Sequence, residues 1–315
     1  MKRSNTILLS CAGGPAAIGV IKSLRKIHFE GRIITIDSDP LSAGGLMSDK
    51  NYVVPLSESS DYWEVVTDII DRENVNIILP TGDMDIVHFA NNKTALQRLG
   101  ISVFMSDIDV IRICQNKDEF YKKCKDKFSL PFTTTSYNDF DFDFEETHKI
   151  VAKPKRGSGS RGIEVFKSYY DIPLNKKYND YIFQSYLPGK EYTVDLLSDL
   201  KGNVLSCVVR ERLQVKAGIS VKGKIIRNET IEKMCKDLSL HLNLKGPVCI
   251  QLKEDEKGTP KFIEVNPRLG GGTYFTTLAG VNFVEMILQI VDGQSVDVNT
   301  PNEITVVRYF NEIVV

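Results

Sequence analysis

For the first third of the chain, strand and helix patterns alternate, and then they stop alternating. No single motif limits the fold as much as this switch. Short apolar runs at 6–11, 32–37, 75–80 and 101–105, with an extended piece "NYVVP" at 51–55, are separated by helical patterns at 15–27, 61–73 and 84–99. Strands that alternate with helices call for a parallel sheet, because each connection must return to the starting end of the sheet and a helix makes that crossing. After residue 106 two helices, capped in sequence by Ser106 and Asn116, lead into strands that succeed one another without long helices: "KIVAKP", "GIEVF", "YIFQSY", "EYTVDLL" and "VLSCVVRERL". A helix at 229–241, the strand pair "PVCIQLKED" and "TPKFIEVNP", a helix at 282–291 and a last strand "ITVVRYF" complete the chain. The expected fold class is α/β plus α+β, with an N-terminal parallel-sheet domain over 1–106 and a second domain over 107–315.

The first strand runs into "CAGGPAAIG" (Cys11 to Gly19), a tight turn followed by a helix whose apolar positions are Ala17, Ile18, Ile21 and Leu24. A glycine turn at a helix N-terminus offers backbone N–H groups to an anion. Asp37 and Asp39 at the end of the next strand suit the ribose of a dinucleotide. The glycines at 13, 14 and 19 do not follow G-x-G-x-x-G, however, and Pro15 interrupts the turn. Taken alone, the segment is a substrate cradle, a dinucleotide site or a plain structural turn.

Composition removes several classes. Forty Lys and Arg against 41 Asp and Glu leave no general basic field for nucleic acid. No window approaches the roughly 20 apolar residues of a membrane span, and the N-terminal apolar run is too short for a signal peptide. The six cysteines form no C-x-x-C pair and sit mostly in apolar runs, as buried reduced thiols do. A cytoplasmic location is expected.

Two later segments carry chemistry. In "IVAKPKRGSGSRGI" a strand delivers Lys153 to a loop holding Gly157, Ser158, Gly159 and Gly162, flanked by Lys155, Arg156 and Arg161. A lysine at a strand end beside glycine-rich backbone suits a polyphosphate, though a solvated basic hairpin has the same composition. In "QLKEDEKGTPKFIEVNPR" a hairpin turn sets Gln251 beside Glu264 and Asn266, which share a face because strand side chains alternate. Three hard oxygen ligands suit Mg²⁺ bound together with substrate phosphates, and Arg268 stands within reach of a phosphoryl group in transfer. An exposed hairpin with alternating polar positions is the other reading.

Together these segments resemble an ATP-grasp enzyme, and most nearly a single ATP-grasp module of the carbamoyl-phosphate synthetase large subunit, over almost the whole chain. The resemblance implies a pre-ATP-grasp domain over 1–106, then a small lid lobe over about 107–185 and a large catalytic lobe over about 186–315. It implies that the glycine loop is a lid over the phosphates, that Lys153 and Lys117 contact them, and that Gln251, Glu264 and Asn266 hold Mg²⁺. For Lys117 a charge on a solvated helix face is an equal alternative. By the same likeness "FQSYLPGKEYTVDLL" holds the nucleoside: Gln184 and Tyr186, with Ser185 between them, meet adenine through backbone groups, and Glu191 accepts from the ribose hydroxyls. Gln251 is an amide where many relatives carry a carboxylate, which lowers the charge at the metal site. Gly13 and Gly14 then face the acid substrate, with Thr81 and Asp83 of "LPTGDMDIV" lining the same cleft or serving only as turn and cap.

The chemistry implied is phosphoryl transfer from ATP to a carboxylate, followed by attack of an amine on the acyl phosphate. Arg210 and Lys216, with Arg212 between them, are placed by position to grip the acyl group, Arg212 being the most readily explained as an exposed strand residue. The partners implied are a small-molecule carboxylate and an amine, without nucleic acid or membrane, and a homodimer is allowed. Carbamoyl-phosphate synthesis is not expected of one module with no second copy and no glutaminase segment. A nucleotide-dependent oxidoreductase using the first glycine loop, or an ATP-binding protein without ligase activity, are the alternatives.

Overall fold

Every position of β1 (Thr6–Ser10) is buried, because the strand lies at the centre of a sheet covered on both faces. Ile7 and Leu9 point into one core while Leu8 points into another, as period-2 alternation requires. The computed structural model describes residues 5–139, 149–157, 159, 161–173 and 178–315. In the first sheet β2 (Arg32–Asp37), β3 (Lys50–Val53), β4 (Ile77–Leu79) and β5 (Ser102–Val103) join β1 in the order β3-β2-β1-β4-β5, all parallel. Helices α1 (Pro15–Lys26), α2 (Ala43–Met47), α3 (Tyr62–Arg72) and α4 (Ile86–Arg98) make the connections.

Two further sheets follow, both antiparallel. The smaller has β6 (Thr133–Thr134), β7 (Ile150–Pro154), β8 (Glu164–Phe166) and β9 (Tyr181–Ser185) in the order β6-β9-β7-β8. The larger has β10 (Glu191–Ser198), β11 (Val204–Lys216), β12 (Ile219–Ile226), β13 (Gly246–Glu254), β14 (Pro260–Asn266) and β15 (Thr305–Val307) in the order β14-β13-β10-β11-β12-β15. Between the first sheet and these two stand α5 (Ile108–Gln115) and α6 (Lys117–Cys124); α7 (Glu229–Leu242), α8 (Thr273–Leu278) and α9 (Phe283–Val291) accompany the larger sheet. Parallel sheet first and antiparallel sheets after is the expected fold class.

One core joins the first sheet to the last. Ile7, Leu9, Val20 and Leu24 pack in the same cluster as Leu197, Val208, Phe275 and Phe283. Gly19 lies within α1 on this seam, where a Cβ would meet Tyr274 Cβ at 3.4 Å, an ordinary contact, so it is no part of the turn. Ser23 Oγ and Thr277 Oγ1 share a hydrogen bond of 2.9 Å across the same seam. At the other seam Ser106, expected as a helix cap, exchanges hydrogen bonds with the Lys245 backbone at 2.9 and 3.1 Å. Asp107 is the N-cap residue of α5, whereas Asn116 caps α6 as expected, accepting from the Asp118 and Glu119 N–H groups. The last strand is shorter than its apolar pattern, ending at Val307.

Candidate active site

A cavity of about 890 Å³ opens where the three sheets meet. Its walls carry Lys117, Lys153, Gly157 and Gly159 on one side, and Gln251, Glu264, Asn266 and Arg268 on another. Gln184, Ser185, Tyr186 and Glu191 line one end, and Gly14, Thr81, Asp83 and Arg210 the other. Gly13, Gly162 and Lys216 are not among the lining residues, and Ser158 lies outside the described residues.

Lys153 stands at the end of β7 with 5% of its surface exposed, and its ammonium makes no hydrogen bond or ion pair among the described residues. Burial pushes it down to about 8, with Lys117 adding to the fall and Glu264 opposing it. Lys117 is buried at the first position of α6 and donates from Nζ to the Gly157 carbonyl at 2.9 Å, so it is no part of a solvated face. Two buried cations with no carboxylate in ion-pair contact among the described residues leave charge for an anion to neutralise. Gly157 and Gly159 hold positive φ with open space around each, and a Cβ on Gly218 of the β11–β12 turn would lie 2.9 Å from Gly159 Cα. Gly159 thus lies backbone to backbone on that turn, and Lys153, being buried, is not part of a solvated hairpin.

Across the cavity, Gln251 pairs in register with Glu264, and Asn266 Nδ2 donates to Glu264 Oε1 at 3.1 Å. No cluster of three His, Cys, Asp or Glu able to hold a metal occurs among the described residues. One carboxylate and two amides fit Mg²⁺ that arrives with phosphate oxygens, and do not make a cage for a lone cation. Gln251 Oε1 also accepts from Arg212 Nη1 at 3.2 Å, and the same guanidinium pairs with Glu191 and donates to the Gly218 carbonyl at 2.6 Å. Arg212 is therefore buried in the site and links the candidate ribose and metal residues, against its reading as an exposed strand residue.

Lys216 departs from expectation for a reason of register. The β11–β12 pairing shifts between Arg212 and Gln214 and again between Gln214 and Val215, so alternation reverses and Val215 faces the cavity while Lys216 is exposed. Gly162 lies on Pro154, where a Cβ would approach Cγ to 3.0 Å. At the nucleoside end the Gln184 side chain donates to Thr133 Oγ1 at 2.8 Å, and the Ser185 and Tyr186 N–H groups are taken by the Phe132 and Lys149 carbonyls. The Leu187 N–H, which sequence reasoning passed over, is the next donor along this wall and makes no hydrogen bond among the described residues.

The opening turn is closed on itself. Ala12 N–H donates to the Ile36 carbonyl, Gly13 N–H to Asp37 Oδ2 at 2.8 Å, and Gly14 N–H to the Cys11 carbonyl at 3.0 Å. The expected cradle of Gly13 and Gly14 N–H groups is absent because the turn has used them. Asp37 Oδ1 accepts from the Asp39 N–H, so each of its oxygens already accepts one backbone N–H of its own turn and loop. Asp83 is engaged too: Arg268 donates from Nε and Nη2 to its two oxygens at 2.6 and 2.5 Å, a bidentate pair joining the first sheet to the last strand of the hairpin.

Arg210 is almost wholly buried. It donates from Nη2 to Asp195 at 3.4 Å and from Nη1 to Ser220 Oγ at 3.1 Å, while its Nε has no partner among the described residues. Asp195 also accepts from Thr273 and Thr276 at 3.2 and 2.6 Å. A Cβ on Gly272 would lie 2.4 Å from Arg210 Cζ, so the run Gly270–Gly272 owes its composition partly to this guanidinium. Neither Asp195 nor the triglycine run was singled out in the sequence, although "LGGGT" directly follows Arg268.

Comparison with known proteins agrees with this geometry. Residues 177–313 match the family model described as ATP-grasp in the biosynthetic pathway with Ter operon, and residues 7–104 match the PylC-like N-terminal domain. The chain carries an ATP-grasp domain. The carbamoyl phosphate synthase large chain of Clostridium botulinum (strain Alaska E43 / Type E3) is 26% identical over 306 residues, covering 88% of this chain and 27% of that one, so the chain spans about a quarter of this relative's length. Among solved structures, the ADP complex of N5-carboxyaminoimidazole ribonucleotide synthetase aligns with a TM-score of 0.75 at 14% identity, covering 98% of this chain and 83% of the other. The L-amino acid ligase from Bacillus licheniformis aligns with a TM-score of 0.68 at 17% identity, covering 92% and 75%. The resemblance drawn from the sequence motifs is borne out, and so is the fold class. No helix among the described residues is long and apolar enough to cross a membrane.

Proposed function

We propose that this chain is an ATP- and Mg²⁺-dependent, ADP-forming carboxylate–amine ligase acting on small molecules in the cytoplasm. The observation that carries the proposal is the pair of buried lysines, 117 and 153, facing Gln251, Glu264 and Asn266 across one cavity. Cations outside any ion pair on one wall and hard oxygens on the other are what a metal-bound polyphosphate requires. In this reading Lys153 and Lys117 bind phosphate oxygens, the glycine loop covers them, and the Leu187 N–H with neighbouring carbonyls meets the adenine edge. Glu191, held by Arg212, accepts from the ribose. Glu264 and Asn266, with Gln251, hold Mg²⁺, which supplies charge neutralisation at the transferred phosphoryl group.

The reaction then has two steps. A carboxylate oxygen of the acid attacks the γ-phosphorus and the bond to the β-bridging oxygen breaks, releasing ADP. The amine nitrogen attacks the acyl carbon, phosphate leaves and the nitrogen loses a proton. Arg268, steered by Asp83, is placed to stabilise the acyl phosphate, and little further covalent work falls to the protein. A binding readout supports the reading in the relatives: the synthetase aligned above is an ADP complex. The dinucleotide alternative is disfavoured because the Ala12, Gly13 and Gly14 N–H groups that would meet a pyrophosphate are already bonded within the protein.

The test is a screen of carboxylates crossed with amines, reading ADP and phosphate together. Release that requires both substrates and Mg²⁺ supports the ligase. If no pair of substrates yields ADP while Mg²⁺-ATP still binds, the chain is an ATP-binding protein and the ligase reading falls.

A further inference from the structure

One end of the cavity is built for an anion that the ligase reaction leaves unassigned. There α1 begins at Pro15, with no side-chain cap, and the N–H groups of Ala16 and Ala17 have no partner among the described residues. Packed against it is the triglycine run: a Cβ on Gly271 would lie 2.9 Å from Pro15 Cγ, and the Gly271 and Gly272 N–H groups are likewise unspent. Beneath Gly272 lies Arg210, buried, on the cavity wall, with its Nε unpartnered. Arg308, just beyond β15, donates to the Gly271 carbonyl and so fixes which way that peptide faces. Arg210 and Arg308 stack on the same ring, their Cζ atoms 5.6 and 4.9 Å from the Phe275 centroid.

The charges here do not balance. Arg268 is matched by Asp83, Arg212 by Glu191 and Arg210 by Asp195, but Arg308 has no carboxylate in ion-pair contact among the described residues. Two guanidiniums against one carboxylate leave the Arg210 side of the corner cationic.

Nor is this the place where the acid is activated. Gln251 pairs with Thr193 and Thr193 with Arg210, so two strand spacings, about 10 Å, separate the candidate metal residue from this arginine. We infer that the corner seats a second anionic group of the acid substrate, a carboxylate or a phosphate distinct from the carboxylate that is phosphorylated. The substrate class is therefore a dicarboxylic or phosphorylated acid, an inference that rests on the ligase reading for the identity of the first carboxylate. Arg210, Gly271, Gly272 and the start of α1 would contact the second group; Arg308 is a positioning residue.

The experiment uses the full chain saturated with Mg²⁺ and a non-hydrolysable ATP analogue, titrated calorimetrically with succinate, phosphonoacetate and butyrate. One or both dianions should bind at least about tenfold more tightly than butyrate, the gain of one charge-assisted contact, and which of them does so tells carboxylate from phosphate. The double variant Arg210→Met/Asp195→Asn removes the buried pair together, so that no lone charge is left in the core, and should erase the preference while nucleotide affinity stays unchanged. Arg308→Met, at the sheet edge, should lower the preference about threefold. Equal binding of butyrate, or a preference that survives both variants, overturns the inference. The two readings fail separately: dianion selectivity without ADP release under any acid and amine ends the ligase and leaves the corner standing. ADP release from monocarboxylates at an undiminished rate in the double variant ends the corner and leaves the ligase.

Discussion

The chain has two glycine-rich segments that follow strands, and they do opposite things with their backbone. In the turn at 11–14 every N–H from Ala12 to Gly14 is already bonded, to Ile36, Asp37 and Cys11. In the loop at 157–162 Gly157 and Gly159 hold positive φ with nothing close to where a Cβ would stand, beside a buried lysine that has no partner among the described residues. Composition is the same in kind; the acceptors nearby differ. A glycine run marks a ligand cradle only when no carbonyl or carboxylate within the fold claims its donors, and that is a tertiary fact.

If the open side is where chemistry occurs, the largest losses come from the wall it faces. Glu264→Gln and Asn266→Ala should each lower Mg²⁺-dependent ADP release by more than about a hundredfold, since even outer-shell partners of metals reach that cost. Both residues are only partly buried, so circular dichroism and melting curves should stay near those of the parent. Normal turnover across a Mg²⁺ titration would remove the metal assignment and with it half of the contrast.

Lys153→Ala comes next. Loss of one charged contact to phosphate should raise the KM for ATP and lower kcat, together about 10- to 100-fold in kcat/KM. The pH dependence carries a sign. The free protein holds this ammonium at about 8, below the ordinary lysine value, so the group is charged below that pH and neutral above it. ATP affinity should therefore fall as pH rises through about 8, and binding should take up a proton, visible as a dependence of the calorimetric heat on buffer ionisation enthalpy. Affinity flat from pH 7 to 9 would mean that Lys153 does not meet the phosphates.

How much of this was legible depends on the range over which each feature is decided. The parallel sheet was, because apolar period and helix spacing are local. The Gln251, Glu264, Asn266 group was, because a single hairpin sets it. Lys216 was misplaced because the shifts of pairing at Gln214 have no signature in "RERLQVK" and reverse every face beyond them. Arg212 looked exposed for the converse reason: its burial depends on Glu191 and Gly218, which arrive from other strands and turns. The Asp83–Arg268 pair joins residues 185 positions apart, and nothing in either neighbourhood announces the other.

On the closed side the expected effects are on stability and not on ligands. Asp37→Ala frees the Gly13 and Asp39 N–H groups, which then turn to water; the cost should be about 1 kcal/mol, read as a lower melting temperature with unchanged ATP affinity. Loss of ATP or acid binding in proportion greater than the loss of stability would show that the turn touches a ligand after all.

Gly13→Ala should do least, and for that reason it divides the readings most cleanly. Gly13 is exposed and its φ is not positive, so alanine meets no backbone strain. A Cβ there would lie 3.5 Å from both Asp37 Oδ2 and Ser42 Cβ, ordinary contact that displaces nothing. The N–H bond to Asp37 is retained, because the substitution leaves the backbone donor in place. Reduced freedom of the unfolded chain favours alanine slightly, so the net change in stability should stay within about 0.5 kcal/mol of zero. A cradle would respond otherwise, since a methyl group over the turn would bar an anion from its N–H groups while the protein stayed folded. Titrating this variant with ATP and with the acid found by the screen, beside a melting curve, separates the cases: unchanged values in all three mean that the turn is closed, whereas acid binding lost at constant stability means that it opens to hold the substrate.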